Sequence, residues 1–413
     1  MKRTFWFLVL ALGVVITACG GTSPTDDSAN NNGGDEEVTV TVATVAGTAT
    51  AAAYRVGDGG WQEASDPANF SFVVDSGGSY DAAVLCDNKD LFIFSLTTDD
   101  LSSLKVDCGA SASSISFDVN YDVSAVTGAS TVLLFHKGSR DSGEEKAVGS
   151  NPTGTINVAY GVAGKQDLVL LALDNSNPPQ ILAAGMRTVD AANNDRYSIP
   201  ALNNGDSINT ASFPDFAAEL PGGYSPAWAV YALTPNGTLA MEGLGEDTGG
   251  AGHNYYALSF ADRELFIVGG EAPGHEVYSF FSSSHGAPAI TLPDPIDPTV
   301  DGSPIKISGL SLTPDLLVYD IGLFWGPTFT PNVFVSKNYL GDNTSYTMPD
   351  LTALTGFANT QPTSGDNVTI TISSIQSNLS PAEFADLGDE FFYALSDGKY
   401  LKYSIRKLEY QVP

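Results

Sequence analysis

Three stretches of the chain alternate strictly between apolar and polar side chains. Ile115, Phe117, Val119, Tyr121 and Val123 interleave with Ser116, Asp118, Asn120 and Asp122. Val368, Ile370 and Ile372 interleave with Thr369, Thr371 and Ser373, and Leu401, Tyr403 and Ile405 with Lys402, Ser404 and Arg406. Side chains of a strand point alternately to its two faces. This period therefore predicts antiparallel sheet with one face in a core and one in water. Turn clusters such as Gly57-Asp58-Gly59-Gly60, Pro235-Asn236-Gly237 and Ser396-Asp397-Gly398 stand between such runs. Helical signals are few. Ser380-Pro381-Ala382-Glu383 reads as a capping box before Phe384 and Leu387, and Phe213 to Leu220 predicts a further turn or two. Nothing supports a doubly wound parallel sheet.

An internal repeat organises these strands. Asp167-Leu168-Val169-Leu170-Leu171 reads like Glu264-Leu265-Phe266-Ile267-Val268. Upstream, Val132-Leu133-Leu134-Phe135 corresponds to Ala229-Val230-Tyr231-Ala232. Downstream, Tyr197-Ser198-Ile199-Pro200 corresponds to Ile290-Thr291-Leu292-Pro293. Lys89-Asp90-Leu91-Phe92-Ile93 and Pro314-Asp315-Leu316-Leu317-Val318 echo the same strand opening. A unit of this size with about seven short strands fits a β-sandwich of immunoglobulin or fibronectin-III type. The expected fold class is all-β, as tandem antiparallel β-sandwiches over residues 38–110, 111–204, 205–298 and 299–413, the last with a short helix. The Pro- and Asp-rich stretch from Pro293 to Pro298 reads as a linker. The alternative is a β-propeller, suggested by the hairpin-like run Tyr393 to Leu401; the uneven spacing of strand openings speaks against it. The first unit resembles, over Ala53 to Trp61 and the strand ending in Cys86, the carboxypeptidase-regulatory-like modules of bacterial surface proteins. That resemblance implies a structural or binding role and no chemistry.

The amino terminus changes the picture. Lys2 and Arg3 precede an apolar run from Phe5 to Ile16, too short for a comfortable membrane span. It ends in Ile16-Thr17-Ala18-Cys19, which resembles the lipobox of bacterial lipoproteins. The resemblance implies cleavage of a signal peptide (residues 1–18), then a diacylglyceryl thioether and a fatty acyl group such as palmitate on Cys19. Each acyl methylene buried adds roughly 0.8 kcal/mol, so several chains on one residue anchor firmly. Gly20, where an Asp would favour inner-membrane retention, points to the outer membrane. Residues 19–37 are small, polar and acidic and read as a flexible tether. With Cys19 acylated, Cys86 and Cys108 remain. Each ends an apolar strand-like stretch, and in an exported domain this suggests one disulfide; the alternative is a pair of reduced core thiols.

Charge narrows the partners. The chain has 48 Asp and Glu against 18 Lys and Arg, a formal charge of −30. Such a surface repels phosphate, so nucleic acid and anionic lipid headgroups are not expected partners. His253, His275 and His285, with Glu271 and Glu276 nearby, match no metal-ligand spacing, so neither a metal nor a cofactor is expected. Oxygen-rich loops at Asp294, Asp297 and Asp301, and at Asp87 with Asp90, are weak calcium candidates. There is no nucleophile elbow. Ser282-Ser283-Ser284-His285 reads as a polar loop, Gly243 to Gly249 as an acidic loop, and Asp386, Asp389 and Glu390 as a solvated turn. Trp61, Trp228 and Trp325, with Tyr255, Tyr256 and Phe324, stand as core residues or sugar-stacking rings. The expected function is a lipid-anchored envelope protein with a structural or binding role, toward a protein or glycan, and no catalysis. The alternative is a secreted hydrolase or carbohydrate-binding accessory protein, which needs a paired carboxylate in a cleft.

Overall fold

The computed structural model describes residues 37–413 apart from 110–113, 140–142, 247–251, 285–288, 326–329 and 387–394. The signal, Cys19 and all of the tether but Glu37 lie outside the described residues. The chain is nearly all β; its sheets stack as sandwiches, and none closes into a barrel or arranges as a propeller.

One topology recurs four times. In the first unit, strand Glu37–Gly47 pairs antiparallel with Asn69–Asp75 and parallel with Ser103–Cys108. It faces a sheet in the order Gln62–Glu63, Ala49–Val56, Ser79–Cys86, Asp90–Thr97. Counting strands within the unit, the second sheet runs third, second, fifth, sixth. The next unit repeats this with Glu144–Ala147, Thr131–Phe135, Gly164–Leu173 and Ile181–Ala191. There, Ile115–Asp122 pairs with Thr153–Gly161 and, in parallel, with Arg196–Ser198. Leu239–Gly245, Ser225–Leu233, Arg263–Ala272 and His275–Ser283 follow the same order, as do Thr330–Ser336, Leu316–Phe324, Asn367–Ser377 and Tyr400–Gln411. The sequence repeat is thus a repeat of topology: the Asp167 and Glu264 runs are both fifth strands, and the Val132 and Ala229 runs both second strands. The Asp90 and Asp315 runs are not equivalent, lying in a sixth and a second strand.

Three of these four-stranded sheets join edge to edge. His275–Ser283 pairs antiparallel with Tyr400–Gln411, and Thr330–Ser336 pairs parallel with Asp90–Thr97. The result is one twelve-stranded sheet whose pairing runs across residues 110 and 298. The 111–204 unit keeps its own sheet and lays the outer face, with Leu133, Phe135, Val169 and Leu171, on Ala232, Ala240 and Leu258.

Covering layers change what alternation means. The strand Ile115–Asp122 behaves as its pattern predicts, with Phe117, Val119 and Tyr121 buried between half-buried polar neighbours. In Tyr400–Gln411 the polar position Ser404 is fully buried, because residues 289–298 lie across that face. The Ile296 N–H donates to Ser404 Oγ at 2.9 Å, and Ser279 Oγ donates to the Thr291 carbonyl at 2.7 Å. The expected linker is therefore packed: Ile296 is buried and Leu292 rests on the core. Cys86 and Cys108 form a disulfide, with Cα atoms 5.3 Å apart, that ties the ends of the first unit's fifth and seventh strands across its two sheets. A closed loop of this length stabilises by about 3 kcal/mol in chain-entropy terms. The capping box forms as read: Ser380 N–H donates to Glu383 at 2.7 Å and Glu383 N–H to Ser380 Oγ at 3.2 Å. The expected turn near 213–220 is a single 3-10 turn, Ala217–Glu219.

In three units an acid stands near the start of the fifth strand, opposite a hydroxyl on the sixth. Asp81 is fully buried and accepts from Ser95 Oγ at 2.6 Å, Arg55 Nε at 2.8 Å and, from the last unit, Tyr339 Oη at 3.2 Å. Asp167 accepts from Thr188 Oγ1 at 2.6 Å and, from the third unit, Asn236 Nδ2 and N at 3.0 Å. Burial alone would raise Asp167, but the Thr188, Asn236 and Thr234 donors hold its carboxyl below the ordinary range. Glu264, the third such acid, pairs in register with Ser283. Asp100 adds a second tie between the first and last units, accepting from Ser336 Oγ at 2.5 Å and Asn338 Nδ2 at 2.7 Å. These nodes fix the units relative to one another.

Candidate functional site

The strand Leu316–Phe324 is the source of the site. Its sequence, LLVYDIGLF, buries Tyr319, Ile321 and Leu323 on one face and turns Val318, Asp320, Gly322 and Phe324 to the other. Strand register builds rows of side chains on that second face. One row runs Glu271, Glu276, Ile405, Ser373, Asp320, Phe334, Phe94. Above it lie Tyr278, Tyr403, Ile375 and Val318, an apolar band that joins Leu379, Ala385 and Leu395 in the main core. Below it lie Lys407, Thr371, Gly322 and Asn332, and then Glu409, Thr369 and Phe324. The face thus passes from apolar to polar across the Asp320 row.

The result is a polar recess. Asp320 is its deepest group; by register Ser373 stands beside it, Thr371 and Asn332 flank Gly322 one row below, and Phe324 follows two rows below. The Phe324 ring lies over Gly322, where a Cβ would stand 3.2 Å from it. Phe324 is 47% exposed, one of the few large apolar side chains so presented. Asp320 keeps some contact with solvent, yet its carboxylate lies deep among neighbouring atoms, and burial pushes it up to about 7. Among the described residues it accepts no hydrogen bond and faces no cation. The neighbouring carboxylates on this face are engaged. Lys407 Nζ pairs with Glu276, Tyr278 Oη donates to Glu271 at 2.7 Å, and Thr369 Oγ1 donates to Glu409 at 3.0 Å. A carboxylate, an amide, two hydroxyls and an exposed ring form the donor and acceptor set that meets a polyhydroxylated ligand, with the ring taking an apolar sugar face.

The residues singled out from sequence take other places. His253 is buried with Phe213, Phe216 and Trp228, at ring-centroid distances of 4.8, 5.4 and 5.4 Å. His275 opens a strand opposite Arg406, and His285 lies outside the described residues. Asp297 pairs with Arg406 Nε at 3.2 Å, and Asp90 accepts from Asn88 Nδ2 at 2.7 Å. Among the described residues no three His, Cys, Asp or Glu side chains converge as a metal-ligand set. Ser284 is tied to Asp397, its N–H at 3.1 Å and Oγ at 2.7 Å. Asp389, Glu390 and residues 247–249 lie outside the described residues. Trp228 and Tyr255 are core residues; Trp61 carries the Arg55 guanidinium 5.3 Å above its ring, and Trp325 is half-buried. Phe324 alone of the candidate rings is exposed.

A carboxylate pair does exist, in the third unit, with Glu242 in the core and Glu264 half-buried. Glu242 is fully buried, accepts the Leu258 N–H at 2.6 Å, and is held well above the usual carboxylate range by burial. Glu264 beside it is raised by burial too, and receives Tyr255 Oη at 3.0 Å.

Sequence reading missed Asp320. The available signal was one charged position inside an otherwise apolar run, where an unpaired carboxylate is costly. The sequence matches no protein-family model and no curated protein.

Proposed function

We propose that this chain is a lipid-anchored cell-envelope protein, held at the outer membrane by acyl chains on Cys19, that binds a glycan in the Asp320 recess without turnover. The observation that carries the reading is the recess: a carboxylate without a hydrogen-bond partner among the described residues, flanked by hydroxyls, an amide and an exposed ring, on a sheet face whose other carboxylates Glu271, Glu276 and Glu409 are engaged. Rigidity supports a binding role, since buried acid nodes and shared sheet edges prevent the units from moving freely. Turnover by a paired-carboxylate mechanism finds no support in the spacing. Glu276 stands three strands from Asp320 in the same row, roughly 14 Å at about 4.8 Å per strand, against the ~5–9.5 Å such mechanisms use. The lipobox, the basic n-region and the acidic tether support the anchor.

Two outcomes are expected. Cys19→Ala releases the protein into the soluble fraction on cell fractionation; an unchanged membrane fraction refutes the anchor. Phe324→Ala weakens binding to envelope polysaccharide, read by a glycan pull-down with purified protein, by about tenfold, or ~1.4 kcal/mol. Equal retention by wild type and variant removes the recess from consideration.

A further inference from the structure

We infer that the ligand of the Asp320 recess carries a positively charged amine, and that this amine seats on the Asp320 carboxylate. The inference rests on the glycan reading above and narrows it from any saccharide to an amino sugar with a free amine.

Three observations lead there. Asp320 has no partner among the described residues, whereas Glu271, Glu276 and Glu409 on the same face each have one. Hydroxyl groups alone would satisfy its hydrogen-bonding capacity but leave its charge buried; an ammonium supplies donors and the opposite charge together. The walls suit a cation as well. Phe334 is Asp320's cross-strand neighbour and stacks on Phe94 with centroids 5.5 Å apart, and the Phe324 ring lies over Gly322. Phe334 is buried in that stack, so the exposed Phe324 ring is the face that can attract an ammonium held near it. The nearest cation in these rows, Lys407, is bound to Glu276 and stands two strands from Gly322. Around the site, 48 acids against 18 bases draw cations toward the surface. Thr371, Ser373 and Asn332 then meet the ligand's hydroxyls, which a simple amine lacks.

The test uses the mature protein and three β-1,4-linked tetrasaccharides of one backbone: glucosamine, N-acetylglucosamine and glucose. Binding is measured by isothermal titration and by ligand-observed NMR. The glucosamine tetramer is expected to bind at least tenfold tighter than the other two. Asp320→Asn, its fold checked by circular dichroism, brings the three within about twofold of each other, while Phe324→Ala weakens all three together. Equal binding of all three to the wild type, with Phe324→Ala still lowering it, overturns the amine inference and leaves the glycan reading standing. No binding of any tetramer to the wild type overturns both. A preference for glucosamine that survives Asp320→Asn overturns the role given to Asp320.

Discussion

Asp81→Ala is expected to lower the unfolding free energy by about 3–5 kcal/mol, the cost of breaking a buried, hydrogen-bonded ion pair by removing one partner. Asp81 is fully buried and collects donors from two units: Ser95 and Arg55 of the first, Tyr339 of the last. Ser95 is in turn 2.8 Å from Tyr346 Oη. Removing the carboxylate takes away the acceptor that the Arg55 guanidinium and the Ser95 and Tyr339 hydroxyls share, leaving Arg55 only a longer contact to Tyr339 Oη at 3.4 Å. Burial raises the Asp81 carboxyl, and the Ser95, Arg55 and Tyr339 contacts oppose that shift. Urea denaturation followed by tryptophan fluorescence measures the effect. A loss under about 1 kcal/mol would show that the Asp81 node adds little to the joint between the first and last units, which then rests on the sheet edge and the Asp100 tie. A double-mutant cycle with Tyr339→Phe isolates the part that crosses between units. A non-zero coupling term is expected, because Tyr339 Oη points at the same carboxylate oxygen as Arg55.

Asp320→Asn is expected to stabilise the protein at pH 8 and to leave it unchanged at pH 4. The folded protein holds this carboxyl at about 7, against an ordinary value of 3.8, because burial disfavours the charged form. The folded state therefore binds the proton more tightly than the unfolded chain. Its contribution to stability is complete below about pH 4, is lost as pH rises toward 7, and changes no further above that. At 1.36 kcal/mol per pH unit the ceiling is ~4 kcal/mol. The recess keeps some contact with water, so roughly 1–3 kcal/mol is expected at pH 8. Asparagine preserves the shape and removes the charge. Comparing variant with wild type at each pH cancels every other titrating group. An equal difference at both pH values would mean that Asp320 is not buried as a charge. The same substitution that stabilises the free protein should cost it ligand binding, the pattern of a residue kept for a partner rather than for the fold.

The fold was legible to a useful depth. Alternation in Ile115–Asp122 and the capping box at Ser380 are local, and both stand in the structure as the sequence implies. The correspondence of the Asp167 and Glu264 runs identified equivalent strands, because equivalent packing positions demand similar side chains. The disulfide followed from two cysteines placed at strand ends. The echo at Asp90 misled, since an acid followed by apolar residues marks more than one kind of strand.

Other features were out of reach for a physical reason. Ser404 sits in a perfect alternating pattern, yet it is fully buried, because a segment about a hundred residues earlier lies over it. The acids near the start of the fifth strands carry no local mark of burial, yet Asp81 and Asp167 accept donors from other units. Asp320 became a candidate only once register set Ser373, Phe334 and, one row below, Gly322 around it.

By itself the sequence determined the strand content, the repeat, the disulfide partners and the absence of excess base; these depend on side-chain period and composition, which local order carries. The tertiary structure alone decided that three units share one sheet, that half of an alternating pattern can be dry, and that Asp320 has no hydrogen-bond partner among the described residues on a face whose other carboxylates are engaged. Those depend on which strand edges meet and which layers cover them, contacts between residues tens to hundreds of positions apart.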